Sequence, residues 1–328
     1  MNGLFDTRFA GLNLSNPIII GSSGLTNTAE KNKNLEKSGA GAVILKSLFE
    51  EQIAMQTGTL KSGKVGLYPE TEGYIHDYIK NNRISAYLEL IQESKRECTI
   101  PIIASINCYH EGSWIDFVRQ IEYAGADAIE LNILALNTER NFFRDSLEKT
   151  YLKITRRIKR TVNIPVIIKM SKYFSHIAGL VDDLLKVGAD GIVLFNRFYY
   201  PDINIHSLQI NSGPLFSSQA NLSDTLRWTA IVSGKIPEAS IASSTGIHDA
   251  EDMIKCLLCG ASAVEICSTV YQNGNEVISA MNRNLEEWMQ GMNYKSIADF
   301  RGKMNYSEIK DPSLYERNQF MKYFSNRD

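Results

Sequence analysis

The stretch Val187-Gly188-Ala189-Asp190-Gly191-Ile192-Val193-Leu194-Phe195-Asn196 closes one helix-like segment and starts a strand with no linker between them. Glycine suits the left-handed position that ends a helix, and an unbroken apolar run suits a strand buried on both faces. The junction therefore reads as an αβ step in a parallel sheet. The pattern recurs at Gly39-Ala40-Gly41 before AVILK (42–46), at Gly125-Ala126-Asp127 before AIELN (128–132) and at Gly260-Ala261-Ser262 before AVEIC (263–267). Successive junctions are about two βα units apart, at roughly 30–45 residues per unit, which leaves room for one further strand in each interval. Those strands follow closely on prolines: IIIG after Pro17, IIASIN after Pro101, VIIKM after Pro165 and ASIASSTG after Pro237. Proline cannot continue a helix and donates no ladder hydrogen bond, so it is a natural residue for strand entry.

Eight strands result, expected near 17–21, 42–46, 102–106, 127–132, 165–169, 190–195, 239–242 and 262–267. The expected fold is α/β, a single (β/α)8 TIM barrel over residues 1–304 with a C-terminal helical extension, the polar tail 305–328 packing on it or extending from it. In such a barrel the C-terminal strand ends form the rim of the active site. Here they present Lys46-Ser47, Asn132, Lys169 and Asn196-Arg197.

With 328 residues, 44% hydrophobic and 22% charged, the chain can bury one large core and leaves no room for a second nucleotide domain. A formal net charge of −2 gives no electrostatic footprint for nucleic acid. The basic run Arg156-Arg157-Ile158-Lys159-Arg160 reads as a solvated face favourable to a helix C-terminus. No apolar run is long enough for a membrane span and no signal-peptide pattern is visible, so a cytoplasmic location is expected. The five cysteines, Cys98, Cys108, Cys256, Cys259 and Cys267, are expected as free thiols, and the CxxC at Cys256 and Cys259 as core packing. None of the five histidines pairs with a carboxylate at a strand end, so no metal centre is expected.

The rim offers amides, hydroxyls and two lysines. Gly21-Ser22-Ser23-Gly24 is a small-residue turn that lets a flat ligand approach the backbone, or a plain βα turn. Lysines closing apolar runs are costly to bury unpaired, so Lys46 and Lys169 point to an anionic or electron-rich ligand. Ser243-Ser244-Thr245-Gly246 before a helix near Asp249, together with Cys267-Ser268-Thr269, occupies the position where barrels commonly hold a phosphate. Such turns are also ordinary helix caps.

Taken in order, Phe5-Asp6-Thr7, Asn16-Pro17, Ser23-Gly24, Lys46-Ser47, Glu130-Leu131-Asn132, Ile168-Lys169, Asn196, Thr245-Gly246-Ile247 and LLCGAS at 257–262 resemble the dihydroorotate dehydrogenase family. Its members are FMN-containing barrels that oxidise dihydroorotate to orotate. The segment from Tyr294 to Lys303 is similar to the last helix of the soluble class 1 enzymes, and with the barrel pattern starting at the first residues the membrane-associating extension of class 2 is not expected. The resemblance implies FMN as cofactor, bound by Ser23, Gly24, Lys46, Ser47, Asn132, Lys169 and Asn196, with Lys169 near the flavin N1 edge. Ser243, Ser244, Thr245, Gly246 and Ser268 would hold its phosphate. It further implies a small-molecule substrate, pyrimidine-like molecules being one option, and a homodimer of the class 1 kind.

The sequence departs from that pattern at the substrate side. The family carries Asn-Leu-Ser-Cys-Pro-Asn after strand four, its cysteine (serine in class 2) acting as base, whereas this chain reads Asn132-Ile133-Leu134-Ala135-Leu136-Asn137. Ala135 cannot accept a proton. The family's asparagine-rich substrate loop has no counterpart between Val65 and Asp77, and Arg197 replaces a serine. This combination resembles a recognised branch of dihydroorotate dehydrogenase-like proteins whose members lack catalytic residues. Three readings follow. One is an FMN oxidoreductase for another substrate, with a replacement acid or base among Cys108, His110, Tyr199 and Tyr200, each more often a packing residue. Another is a flavin-binding protein without turnover, in a binding or regulatory role. The third is a phosphate-binding lyase or isomerase with a Schiff base on Lys169.

Overall fold

The computed structural model describes residues 3–56, 84–109, 112, 115, 117–133, 136, 140, 146–198 and 200–316. In chain order its strands are β1 Thr7–Phe9, β2 Leu12–Leu14, β3 Ile18–Ile20, β4 Ala42–Ile44, β5 Leu48–Phe49, β6 Ile102–Cys108, β7 Ala128–Ile133, β8 Val166–Met170, β9 Gly191–Leu194, β10 Pro201–Asn204, β11 Gln209–Ser212, β12 Ile241–Ser244 and β13 Ala263–Ile266. Eight of them, β3, β4, β6, β7, β8, β9, β12 and β13, pair in parallel in that order, and β13 pairs with β3 to close the ring. The chain is thus a (β/α)8 barrel with helices outside. Each expected strand is present within two residues of its expected bounds; the seventh runs Ile241–Ser244 instead of 239–242.

The junctions behave as their chemistry requires. Gly39, Gly125, Gly188 and Gly260 have φ of +98°, +97°, +105° and +109°, the left-handed helix stop. At two of them the following aspartate does a second job. Asp127 accepts from Lys95 Nζ (2.7 Å) and from the backbone N–H of Ile102, and Asp190 accepts from Lys159 Nζ (2.5 Å) and from that of Val166. Each aspartate so ties the end of a preceding helix to the start of the preceding strand. The basic run at 156–160 therefore includes one structural ion pair, through Lys159 in the last turn of the helix Ser146–Lys159.

Two hairpins lie outside the expected pattern. At the N-terminal end of the barrel, β1 and β2 pair antiparallel. Phe9, Ala10 and Leu14 plug the interior against Ile19, Ile44, Ile103, Ile167 and Val193 and the small Ala42, Ala128, Ala242 and Ala263. At the other end β10 and β11 form an antiparallel hairpin whose Ile203, Ile205 and Ile210 are exposed. The second, larger core lies between barrel and helices. Cys256 is part of it and Cys259 is buried beside Tyr315; desolvation pushes both thiols up, Cys259 to about 11, in keeping with packing roles.

The described part of the tail rests on the helix Leu222–Lys235. Tyr306 N–H donates to Ala230 O (3.0 Å), and Lys235 Nζ lies 4.1 Å from the Tyr306 ring centre. Residues 317–328 lie outside the described residues.

Candidate functional site

Side chains alternate along a strand, so the inward positions continue in steps of two. Above the apolar layer this brings Ser105, Glu130, Lys169 and Glu265 into the barrel, followed by Asn132. Glu130 is 0% exposed, Glu265 3% and Lys169 9%. Lys169 Nζ donates to Glu265 Oε2 at 2.5 Å and lies 3.6 Å from Glu130 Oε1. Burial alone would lower the lysine's pKa, but the Glu130 and Glu265 carboxylates outweigh it and hold the ammonium above its ordinary value. Burial, and then the neighbouring Glu265 charge, push Glu130 well above the usual carboxylate range.

This corrects one expectation. Lys169 does not await an anionic ligand to compensate its burial, because two glutamates already do so. It also counts against a Schiff-base role, which needs an amine whose pKa is lowered.

A mesh of amides and hydroxyls joins the cluster to the rim. Asn132 Nδ2 donates to Glu130 Oε1 (3.2 Å) and Ser105 Oγ (3.0 Å), and Asn196 Nδ2 donates to Asn132 Oδ1 (3.2 Å). Ser47 Oγ lies 2.8 Å from Ser105 Oγ and 2.9 Å from Ser22 Oγ. Ser23 caps the short helix Gly24–Thr26, accepting from Leu25 N–H (3.2 Å). Gly24 faces Tyr271, whose hydroxyl would lie 2.8 Å from an added Cβ. Lys46 lies on the same sector of the rim, its backbone N–H donating to Thr26 O.

Over Lys169 and Glu265 opens a cavity of ≈ 310 Å³. Gly21, Ser22 and Asn196 line it, and so do Ser244, Thr245 and Gly246 after β12 and Cys267, Ser268 and Thr269 after β13. Ser243 is not brought to the site: it is the outward residue of β12 and its hydroxyl bonds Thr229 Oγ1 (2.8 Å). Sequence reasoning treated Ser243 and Ser244 alike, although neighbours in a strand face opposite ways. Thr245 and Gly246 have φ of +80° and +89° in succession. A β-branched residue there is strained, and it is held by Thr245 Oγ1 donating to Phe195 O (3.0 Å) and by Thr225 Oγ1 donating to Thr245 O (3.0 Å).

Arg197, the strand-end residue that follows Asn196, lines the cavity and also braces the chain. Its Nη2 donates to Pro214 O (2.5 Å) and its Nη1 to Leu215 O, with the guanidinium 4.9 Å from the Tyr200 ring centre. These contacts strap residues 214–217 along the cavity, which Pro214, Leu215 and Ser217 line, and there Ser217 N–H donates to Ser268 Oγ (3.1 Å) and Ser217 Oγ meets His248 Nε2 (3.1 Å).

Of the candidate replacement bases, Cys108 is fully buried on the outward face of β6, and burial raises its thiol well above normal. Tyr200 lines the cavity. His110, Tyr199 and Ala135 lie outside the described residues. Sequence reasoning missed Glu265 entirely and gave Glu130 no role. The signal was a glutamate inside each of two all-apolar strands, AIELN and AVEIC, opposite a lysine in a third.

Among the described residues no group of three or more metal-ligating side chains occurs, and no helix is long and apolar enough to cross a membrane. Comparison with known proteins gives a match to the dihydroorotate dehydrogenase family model over residues 4–289. The dihydroorotate dehydrogenase B (NAD(+)) catalytic subunit of Thermoplasma volcanium is 26% identical over 308 residues, covering 90% of this chain and 97% of the relative. The protein of the same name from Endomicrobium trichonymphae is 24% identical, covering 91% and 96%. That from Methanocaldococcus jannaschii is 26% identical, covering 84% and 90%.

Proposed function

This chain belongs to the dihydroorotate dehydrogenase family, and from that membership and the chemistry of the rim we propose that it is an FMN-dependent oxidoreductase acting on a small molecule. The observation that carries this is the cavity itself, which has an ammonium at its floor and a hydroxyl-lined double loop at its side. Its volume, ≈ 310 Å³, lies at the lower end of the range of small-molecule and cofactor sites. The residues fit the group chemically. Ser244, Thr245, Gly246 and Ser268 are hydroxyl and backbone donors suited to a phosphate, and Lys169 is suited to an electron-rich ring edge.

When bound, FMN supplies the ring that takes up or gives two electrons. This chain's residues supply the rest. Asn196, bonded to Asn132, and Asn132, bonded in turn to Glu130, orient amide groups at the rim. Lys169 offers its ammonium at the floor. Pro214, Leu215 and Ser217 of the strap line the cavity, and whatever water they exclude strengthens the electrostatic contacts within it.

The relatives are named as dihydroorotate dehydrogenases, yet Ala135 stands where the family's base would be, so dihydroorotate is not the substrate this chain oxidises efficiently. That loss alone typically costs about 10²–10⁴-fold in rate. The test has two stages. The purified protein is expected to be yellow and to release FMN on denaturation; a protein that stays colourless with excess FMN ends the proposal. Anaerobic stopped-flow with dihydroorotate is then expected to bleach the flavin slowly, and rapid bleaching would show that another residue supplies the base. If no small molecule bleaches it, the second reading, flavin binding without turnover, takes over; Ala135 is what favours it. The homodimer is likewise a proposal, tested by sedimentation at micromolar concentration.

A further inference from the structure

The hydrogen bonds of the buried cluster do not close as two carboxylates. Glu265 Oε2 accepts from Lys169, and Glu130 Oε1 accepts from Asn132. Glu130 Oε2 and Glu265 Oε1 are buried and have no partner, and the two carboxyl groups flank one ammonium, Lys169 Nζ lying 3.6 Å from Glu130 Oε1 and 2.5 Å from Glu265 Oε2. Ionised carboxylates only accept, so two of them facing each other leave both oxygens orphaned. A single proton between them makes one a donor and satisfies both. The charges lead to the same place. Lys169 is the cation that reaches both glutamates, and two carboxylates sharing one buried site do not both ionise.

We propose that Glu130 and Glu265 share one proton at neutral pH, so that the Lys169–Glu130–Glu265 cluster beneath the cavity is electrically neutral. Among the described residues, the other titratable groups whose charge acts on it are Tyr87 from the helix Ile84–Glu97 and Cys267 from the loop after β13. Burial raises both above their ordinary values, so both are neutral at pH 7. For the flavin reading, on which this consequence alone rests, the ring edge set against Lys169 meets a neutral floor and not a net cation. The pair is also a proton store: removing either glutamate removes a proton and leaves the charge unchanged.

The last point gives the experiment. In capillary electrophoresis at pH 7 of the protein as purified, at matched flavin content, Glu130→Gln and Glu265→Gln are expected to migrate with the wild type. Glu251→Gln, whose side chain is 84% exposed, is expected to shift by one charge. The infrared spectrum of the wild type is expected to contain a protonated-carboxyl band at pH 7 that both buried variants lose. A one-charge shift in either buried variant, or a wild-type spectrum without that band, overturns the proposal, and the wild-type spectrum decides the matter even if a variant does not fold. A protein that shows the band but never binds FMN sinks the flavin reading and leaves the shared proton standing; FMN binding without the band does the reverse.

Discussion

The two ends of the barrel are built on the same strands with opposite chemistry. At the closed end Ile103, Ala128, Ile167 and Ala263 meet the plug of Phe9 and Leu14. Two residues further along those four strands stand Ser105, Glu130, Lys169 and Glu265. One pleat, about 7 Å, separates a dry layer from a charged one. At the closed end shape alone must be right, since apolar contacts are non-directional. At the open end every polar atom needs a partner, because an unpaired group in that dry surrounding is costly.

The largest expected effect attacks the open end. Lys169→Met should cost about 3–5 kcal/mol at pH 8, since it leaves two buried carboxyls without their cation. The loss should shrink at pH 5, where both carboxyls can hold protons; urea midpoints at the two pH values read it, and an equal loss at both would show glutamates already neutral without the lysine. The matching probe of the closed end is Leu14→Ala, about 2–5 kcal/mol and independent of pH. A pH-dependent loss there would mean that the plug and the cluster are coupled.

The ends should also fail at opposite ends of the pH scale. Near the closed end, burial would raise Glu36, but hydrogen bonds from Lys33 and from the Thr99 side chain and backbone outweigh it and hold it at about 2. The unfolded chain then binds the extra proton, so this stability is present above the ordinary carboxylate range and is lost as pH falls towards 2. Glu36→Gln should flatten that acid limb, at about 1.5–3 kcal/mol near neutral pH. Glu130 works with the other sign. Its raised pKa makes the folded state the proton binder, so the stability it adds is complete below the ordinary range and is lost as pH rises through its folded value. The smallest effect is at Thr245. With φ at +80°, Thr245→Gly should be more stable than Thr245→Ala by about 1 kcal/mol, the reverse of the usual order, by thermal melts of the pair.

The closed architecture was legible because it repeats. Four Gly-Ala junctions and four proline entries each carry a local signal, and a parallel ring needs little else. The hairpin at residues 7–14 was not legible, because TRFAGLNL is too short to show a period and its burial comes from strands far along the chain. At the site, Lys169, Asn132 and Asn196 were found as polar residues at strand ends. Glu265 was hidden in mid-strand, where its meaning depends on the residues across the barrel. Ser243 was misassigned because its orientation depends on where β12 starts, and a strand boundary is what sequence fixes least well.

The ring closes between β3 and β13, the first and last of its eight strands. Ile18–Ile20 therefore cannot complete its ladder until Ala263–Ile266 has left the ribosome, nor can Thr7 Oγ1 find Ser262 O. Nearly the whole chain is synthesised while one edge of the first strand is bare. Contacts of such sequence separation slow folding, and a bare apolar edge is a template for pairing with other chains. For this protein the vulnerable interval is the time between the emergence of its first strand and its last.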